Sequence, residues 1–172
     1  MTEEEFLNIV LQGAGRGCYK EGYESHAQWE IHAQVVISAF LKSGYGIQDV
    51  REMIYPGSKE HCDFGFTHNG ETYAVEMKVE NYDGKFGGLH LTQATISDVN
   101  KLHGFNADNL WMLIIARSEN AKKGLIEVAE RGDSWVIGTE SDFMAALCNI
   151  KTYPHNLPWM RLDKSTLRSS AM

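Results

Sequence analysis

The sequence predicts an α/β protein in which helices flank both faces of a central mixed β-sheet. Two strand-like runs, 61–67 and 71–80, are joined by Asn69-Gly70, the strongest short signal of a β-hairpin. The run LWMLIIA, 110–116, is apolar throughout, as in a strand that is covered on both faces. Helical patterns precede, separate and follow these strands, and this order is typical of helices packed on a mixed sheet.

Two helices are predicted before the first strand. Thr2 and Glu5 form a capping box, and the apolar stripe behind them indicates a helix from about 3 to 12. We interpret GAGRG, 13–17, as a flexible connector, because a phosphate-binding glycine motif should follow a strand. Apolar residues at helical spacing predict a second helix over 25–43, and Glu30 falls inside its apolar arc. A carboxylate on an inward helix face needs a reason.

The rest of the chain alternates strands and helices. We expect, in chain order, a strand within 47–57, the hairpin, a glycine-rich loop over 81–88, a helix over 92–103, the strand at 110–116, a helix over 119–131, a strand in SWVIG and a helix over 141–149. This predicts a single domain, composed of an N-terminal helix and connector (1–24), a core (25–116), an added helix-strand-helix unit (117–152) and a C-terminal loop and tail (153–172).

Composition and charge limit the classes of function. A chain of 172 residues with 43% hydrophobic and 23% charged residues can bury one globular core. No apolar run approaches the roughly 18 residues that span a membrane, so we expect a soluble, cytoplasmic protein without a membrane partner. The net charge of -7 argues against a protein that coats nucleic acid, although a local contact to phosphate remains open. Three cysteines without a C-x-x-C pair indicate neither a disulfide framework nor a cysteine zinc site.

The hairpin turn fixes which side chains face each other. With Asn69-Gly70 as a two-residue turn, Phe64 pairs with Val75 and Asp63 falls opposite Glu76. One face is then apolar, formed by Cys62, Phe64, Phe66, Tyr73, Val75, Met77 and Val79. The other face carries small residues and three charges, in the order Asp63, Gly65, Ala74, Glu76 and Lys78.

Two facing carboxylates repel each other at the short distance between paired strand residues. A shared proton, a neighbouring cation or a bound divalent metal would offset the repulsion. Lys78 can supply part of the compensating positive charge, and two clustered carboxylates are also ligands that Mg²⁺ prefers. The alternative is a strand face on which these charges only meet solvent. The inward position of Glu30 favours a site, because that helix must pack on the same sheet.

These residues resemble the PD-(D/E)XK nuclease superfamily, which has the restriction-endonuclease-like fold. The match consists of Asp63 in CDFGF, twelve intervening residues, and Glu76-Met77-Lys78 in YAVEMKVE as the E-x-K element. Family members often carry a glutamate on the preceding helix, matched here by Glu30, and a glutamine on the following helix, matched by Gln93 in LTQATISD. Cys62 stands where the family motif has a proline, which many members also lack, and the tyrosine that some branches place after the glutamine is absent after Gln93.

The resemblance implies a role for each matched residue. Asp63 and Glu76 would hold one or two Mg²⁺ (or Mn²⁺) ions, with the backbone carbonyl of Met77 completing the coordination and Glu30 contacting the metal directly or through water. Lys78 would orient the nucleophile or stabilise charge, and Gln93 would complete the catalytic set.

The function that the resemblance implies is metal-dependent hydrolysis of phosphodiester bonds, in DNA rather than RNA. Cutting both strands at once with one site per chain would need a homodimer. Two other interpretations stay open. An acidic, non-catalytic binding protein of the immunity or inhibitor type would engage a basic protein partner. A small α/β enzyme unrelated to nucleic acid is also compatible with the fold.

Overall fold

The structure is a computed structural model that describes residues 1–25, 28–55, 57, 59–80, 93–130 and 135–151, without the side chains of residues 51, 93–96 and 128. The predicted glycine-rich loop (81–88) and the predicted C-terminal tail (153–172) lie outside the described residues. The elements are α1 (Glu3–Gly15), α2 (Cys18–Glu24), α3 (Trp29–Tyr45), β1 (Arg51–Ile54), β2 (His61–His68), β3 (Glu71–Val79), α4 (Gln93–His103), β4 (Asn109–Ala116), α5 (Glu119–Glu130), β5 (Trp135–Glu140) and β6 (Phe143–Asn149). No helix among the described residues is long and apolar enough to cross a membrane.

The described strands form one mixed sheet of six in the order β1-β2-β3-β4-β6-β5. β3 and β4 are parallel, and the other neighbours are antiparallel. Helices α1 and α3 bury apolar side chains on one face of the sheet, where Trp111 and Leu113 of β4 belong to the same core. Helices α4 and α5 cover the opposite face. The prediction of a mixed sheet with helices on both faces is therefore confirmed.

The N-terminal segment is helical for longer than its sequence predicts. The capping box is present, with Thr2 Oγ1 accepting from the Glu5 N–H at 3.1 Å. Helix α1 continues through Gly13 and Gly15, so the prediction that 13–17 is a flexible connector is wrong for its first three residues. Gly13 leaves space for the buried Tyr19 ring, whose hydroxyl donates to the Val10 carbonyl at 2.8 Å. Tertiary packing thus outweighs the low helix propensity of glycine.

The predicted helix over 141–149 is wrong, because residues 143–149 form strand β6. Ser141 adopts a left-handed φ of 53°, and Glu140 pairs with Phe143, so a two-residue turn joins β5 and β6. All seven residues of β6 are buried between β4 and β5. Good helix formers in FMAALCN suggested a helix, but a short apolar run does not distinguish a buried strand from a buried helix. The added unit after β4 is therefore a helix followed by a β-hairpin.

The predicted hairpin of β2 and β3 is confirmed in its register. Phe64 pairs with Val75, and His68 pairs with Glu71. Asn69 and Gly70 both have positive φ, at 51° and 83°, as a type I′ turn requires.

The predicted apolar face is wrong at Cys62. Phe64 lies in the core beneath α1 and α3, whereas Cys62 packs in the core beneath α4 and α5. The reason is a bulge in the β1–β2 ladder, where Met53 pairs with Cys62 but Arg51 pairs with Gly65. The extra residue on β2 breaks the alternation of side chains just beside Asp63.

Candidate active site

Asp63 lies at this bulge, and two hydrogen bonds hold its carboxylate. The Gln34 side chain of α3 donates from Nε2 to Oδ1 at 2.9 Å. The Met77 N–H of β3 donates to Oδ2 at 2.6 Å. Because the N–H and C=O of one strand residue point to the same neighbouring strand, the Met77 carbonyl also faces β2. Asp63 and the Met77 carbonyl, both predicted as metal ligands, are therefore directed to the same gap between β2 and β3.

Glu76 is only 5% exposed, and it contacts both Asp63 and Tyr55. Burial raises the pKa of Glu76 to about 8, with a second contribution from the charge of Asp63. The Tyr55 hydroxyl donates a hydrogen bond to Glu76 Oε1 and partly opposes this shift. The predicted register placed Asp63 directly opposite Glu76, but the observed pairing of β2 with β3 ends at Phe64 and Val75, beside the bulge. The two carboxyl groups still interact with each other.

Glu30 of α3 joins the same cluster from the helix side. It is partly buried, and burial raises its pKa, while the charge of Lys78 lowers it and the charge of Asp63 raises it again. The Val79 N–H donates a hydrogen bond to it. The inward position predicted for Glu30 is therefore explained by its interactions with the charges of Lys78 and Asp63.

Lys78 is paired with an acid that sequence reasoning missed. Its Nζ lies 3.0 Å from Asp98 Oδ2 of α4, and both side chains are largely buried. Burial lowers the pKa of Lys78, but the charge of Glu30 and the hydrogen bond to Asp98 outweigh this and raise it above its usual value. Lys78 is thus a cation at neutral pH. Asp98 lies one helical turn before the buried Leu102, and an acid at the edge of an apolar helix face carries no sequence signal of its own.

Gln93 is the first residue of α4, but its side chain lies outside the described residues. Tyr55 and Gln34 were also missed. Tyr55 follows β1 and packs edge-on against Phe105 at a centroid distance of 5.5 Å, so its position depends on a residue 50 positions further along the chain, just after α4. No periodicity within β1 reports such a contact.

The chemistry of these donors fits a hard divalent cation. Within the described part of the chain, no group of three or more His, Cys, Asp or Glu side chains is arranged to hold a metal ion. Mg²⁺ usually takes only one or two protein carboxylates and completes its coordination with water and substrate phosphate. Asp63 and Glu76 can supply two such carboxylates, with the Met77 carbonyl and Glu30 beside them.

Comparisons with models of known families, with curated proteins and with solved structures return no match for this chain. The geometry and chemistry of one group of residues therefore carry the functional proposal, and we call this group the carboxylate cluster: Glu30, Asp63, Glu76, Asp98 and the lysine that they surround, Lys78.

Proposed function

We propose that the protein is a metal-dependent nuclease that hydrolyses phosphodiester bonds, in DNA rather than RNA. The observation that carries the proposal is the convergence of three acids, Glu30, Asp63 and Asp98, on Lys78. The buried Glu76 joins this group through its contact with Asp63. The order α3, β1–β3, α4, β4 agrees with the core of the restriction-endonuclease-like fold, which we propose for residues 25–116. Buried acids with shifted pKa values beside a cation are more typical of functional sites than of exposed strands.

Each residue of the cluster has its own role in the proposed hydrolysis. Asp63 and Glu76 hold the cation, with the Met77 carbonyl and Glu30 beside them. When bound, Mg²⁺ or Mn²⁺ would neutralise charge on the phosphate and lower the pKa of the attacking water. Lys78 keeps its proton, so it stabilises negative charge on the reacting phosphate instead of acting as a base. Gln34 fixes the orientation of Asp63, and Tyr55 fixes that of Glu76.

The test is cleavage of single-stranded, double-stranded and branched DNA and of RNA by purified protein, with Mg²⁺, with Mn²⁺ and with EDTA. We expect metal-dependent cleavage of DNA that is lost in Asp63→Asn and in Lys78→Ala. Glu119→Gln is the matched control, because Glu119 is an exposed acid on α5 that pairs only with Lys122 among the described side chains. Cleavage that persists in both site variants would point to a contaminating nuclease and refute the assignment.

One observation favours a second function, an acidic binding protein on a non-catalytic form of this fold. The net charge of -7 suits a basic protein partner better than it suits a polyanion. In that case no substrate is cut with any metal, and variants of exposed acids, not of the buried Glu76, weaken the binding of a basic protein.

A further inference from the structure

A groove of about 390 Å³ runs from Asp63 along helix α3. Its α3 wall includes Gln34, Ser38 and Lys42, and its opposite wall comes from Val50, Glu52 and Asp63. Gln34 lines the groove and also donates to Asp63, so the groove and the carboxylate cluster share a boundary. A molecule that lies in the groove therefore reaches the proposed site at Asp63.

Lys42 provides a cation at the far end of the groove. It is exposed on the last turn of α3 and has no ion-pair partner among the residues that the structure describes. Lys78, Lys101 and Lys122, by contrast, are each paired with an acid. Lys42 lies eight residues beyond Gln34, which is about 12 Å along the helix axis. At roughly 3.4 Å of rise for each phosphate of a strand, this distance spans about three nucleotides.

The remaining walls suit the same ligand. Val35 of α3 lines the groove and is 63% exposed, which offers an apolar surface to a sugar or base. The acid on the opposite wall is already engaged, because Glu52 Oε2 lies 2.9 Å from His61 Nδ1.

We propose that this groove binds the nucleic-acid strand that flanks the scissile phosphate, and that Lys42 contacts a phosphate about three nucleotides from the site. The inference rests on the proposed nuclease function. Continuity with Asp63 and the unpaired cation favour a polyanionic strand over a second copy of this chain, which would have to bury Lys42.

The experiment measures binding and cleavage of a labelled DNA oligonucleotide by Lys42→Glu. Fluorescence anisotropy in EDTA gives the Kd over a series of salt concentrations, and steady-state cleavage in Mg²⁺ gives KM and kcat. Lys123→Glu is the matched control, since Lys123 is an exposed helix lysine on α5, on the opposite face of the sheet, without an ion pair in the described residues. Ser38→Tyr fills the groove without changing its charge, and light scattering reports the oligomeric state.

We expect Lys42→Glu to raise Kd and KM by about tenfold, with kcat unchanged, and to reduce the slope of log Kd against log salt by about 1. Ser38→Tyr should raise KM as well, whereas Lys123→Glu should match the wild type. If the wild type cleaves DNA but Lys42→Glu behaves like Lys123→Glu, the groove assignment is wrong and the nuclease function stands. A dimer that dissociates in Val35→Asp would also overturn the assignment. Failure of the wild type to bind or cut any nucleic acid would overturn both proposals.

Discussion

Replacing Glu76 by glutamine should stabilise the metal-free protein at neutral pH. The carboxyl group is 5% exposed and lies against Asp63, so its ionised form is unfavourable in the folded state. Glutamine has the shape of the protonated acid. Its amide oxygen can accept the hydrogen bond from Tyr55, and its amide nitrogen can donate to Asp63. Glu76→Gln therefore removes the charge while it preserves both contacts.

The size of the effect follows from the pKa of Glu76. Folding raises this pKa from 4.5 to about 8, so between these two values the folded state holds a proton that the unfolded chain has released. The stability of the wild type then falls as pH rises through this window, by about 1.4 kcal/mol per pH unit. At pH 7 the accumulated loss is about 3 kcal/mol. Below pH 4.5 both states are protonated, and the loss vanishes.

The assay is urea denaturation of wild type and variant between pH 5 and pH 8 in EDTA. The difference between the two curves cancels the titrating groups that do not interact with Glu76. We expect the variant to gain about 3 kcal/mol at pH 7 and little at pH 5. Adding Mg²⁺ should stabilise the wild type alone, since a ligand of the folded state shifts the equilibrium toward it. Parallel curves, or a variant that is less stable at every pH, would refute the argument that Glu76 is a buried, destabilising acid.

Two further predictions concern Tyr55, which contacts Glu76, and the hairpin turn between β2 and β3. Tyr55→Phe keeps the ring against Phe105 but removes the hydrogen bond to Glu76, so Mn²⁺ affinity measured by paramagnetic resonance should fall by about 10- to 100-fold; wild-type affinity would show that Tyr55 does not orient Glu76. Gly70→Ala should lower the free energy of unfolding by about 1 to 2 kcal/mol, measured by thermal unfolding, because Gly70 has a φ of 83° that strains an alanine. A Cβ at this position meets only open space, so backbone strain is the whole effect. Gly44→Ala, in helix α3 with equal space, should instead stabilise by up to about 1 kcal/mol, and equal signs for the two variants would contradict this reasoning.

The hairpin was predictable because its information is local. Asn69-Gly70 specifies a two-residue turn, the turn specifies the register, and the register pairs Phe64 with Val75, one residue from Asp63 and Glu76. The same logic predicted that Lys78 and Glu76 share a face. Glu30 was found because a carboxylate within an apolar helical arc violates the usual pattern of burial.

Two features of the fold were not predictable from local pattern. Strand β6 has the composition of a helix, and it is a strand because it fills the position between β4 and β5. The bulge beside Cys62 depends on how β1 pairs with β2, and its one sequence signal, the isolated Gly65 within the strand, was not used in the prediction. The error at Cys62 follows directly, since alternation was continued through a point where the ladder is irregular.

The residues that complete the site come from elements far apart in sequence. Asp98 reaches Lys78 from α4, and Gln34 reaches Asp63 from α3, so both contacts exist only after the two faces of the sheet are covered. Sequence patterns reveal residues that violate the usual burial of apolar side chains, such as Glu30. They miss residues such as Asp98, whose place on the edge of an amphipathic helix violates no such pattern.

The burial of Glu76 bears on the choice between the two proposed functions. A protein that engages a basic partner through its charge needs acids at its surface, where exposed ion pairs steer association. Glu76 is nearly inaccessible to a protein partner, and its ionisation destabilises the fold that carries it. An apolar side chain of similar size would fill the same space at lower cost. A small cation in the gap between β2 and β3 would give this carboxylate a use that a basic protein partner cannot, and this favours the proposed nuclease over the acidic binding protein.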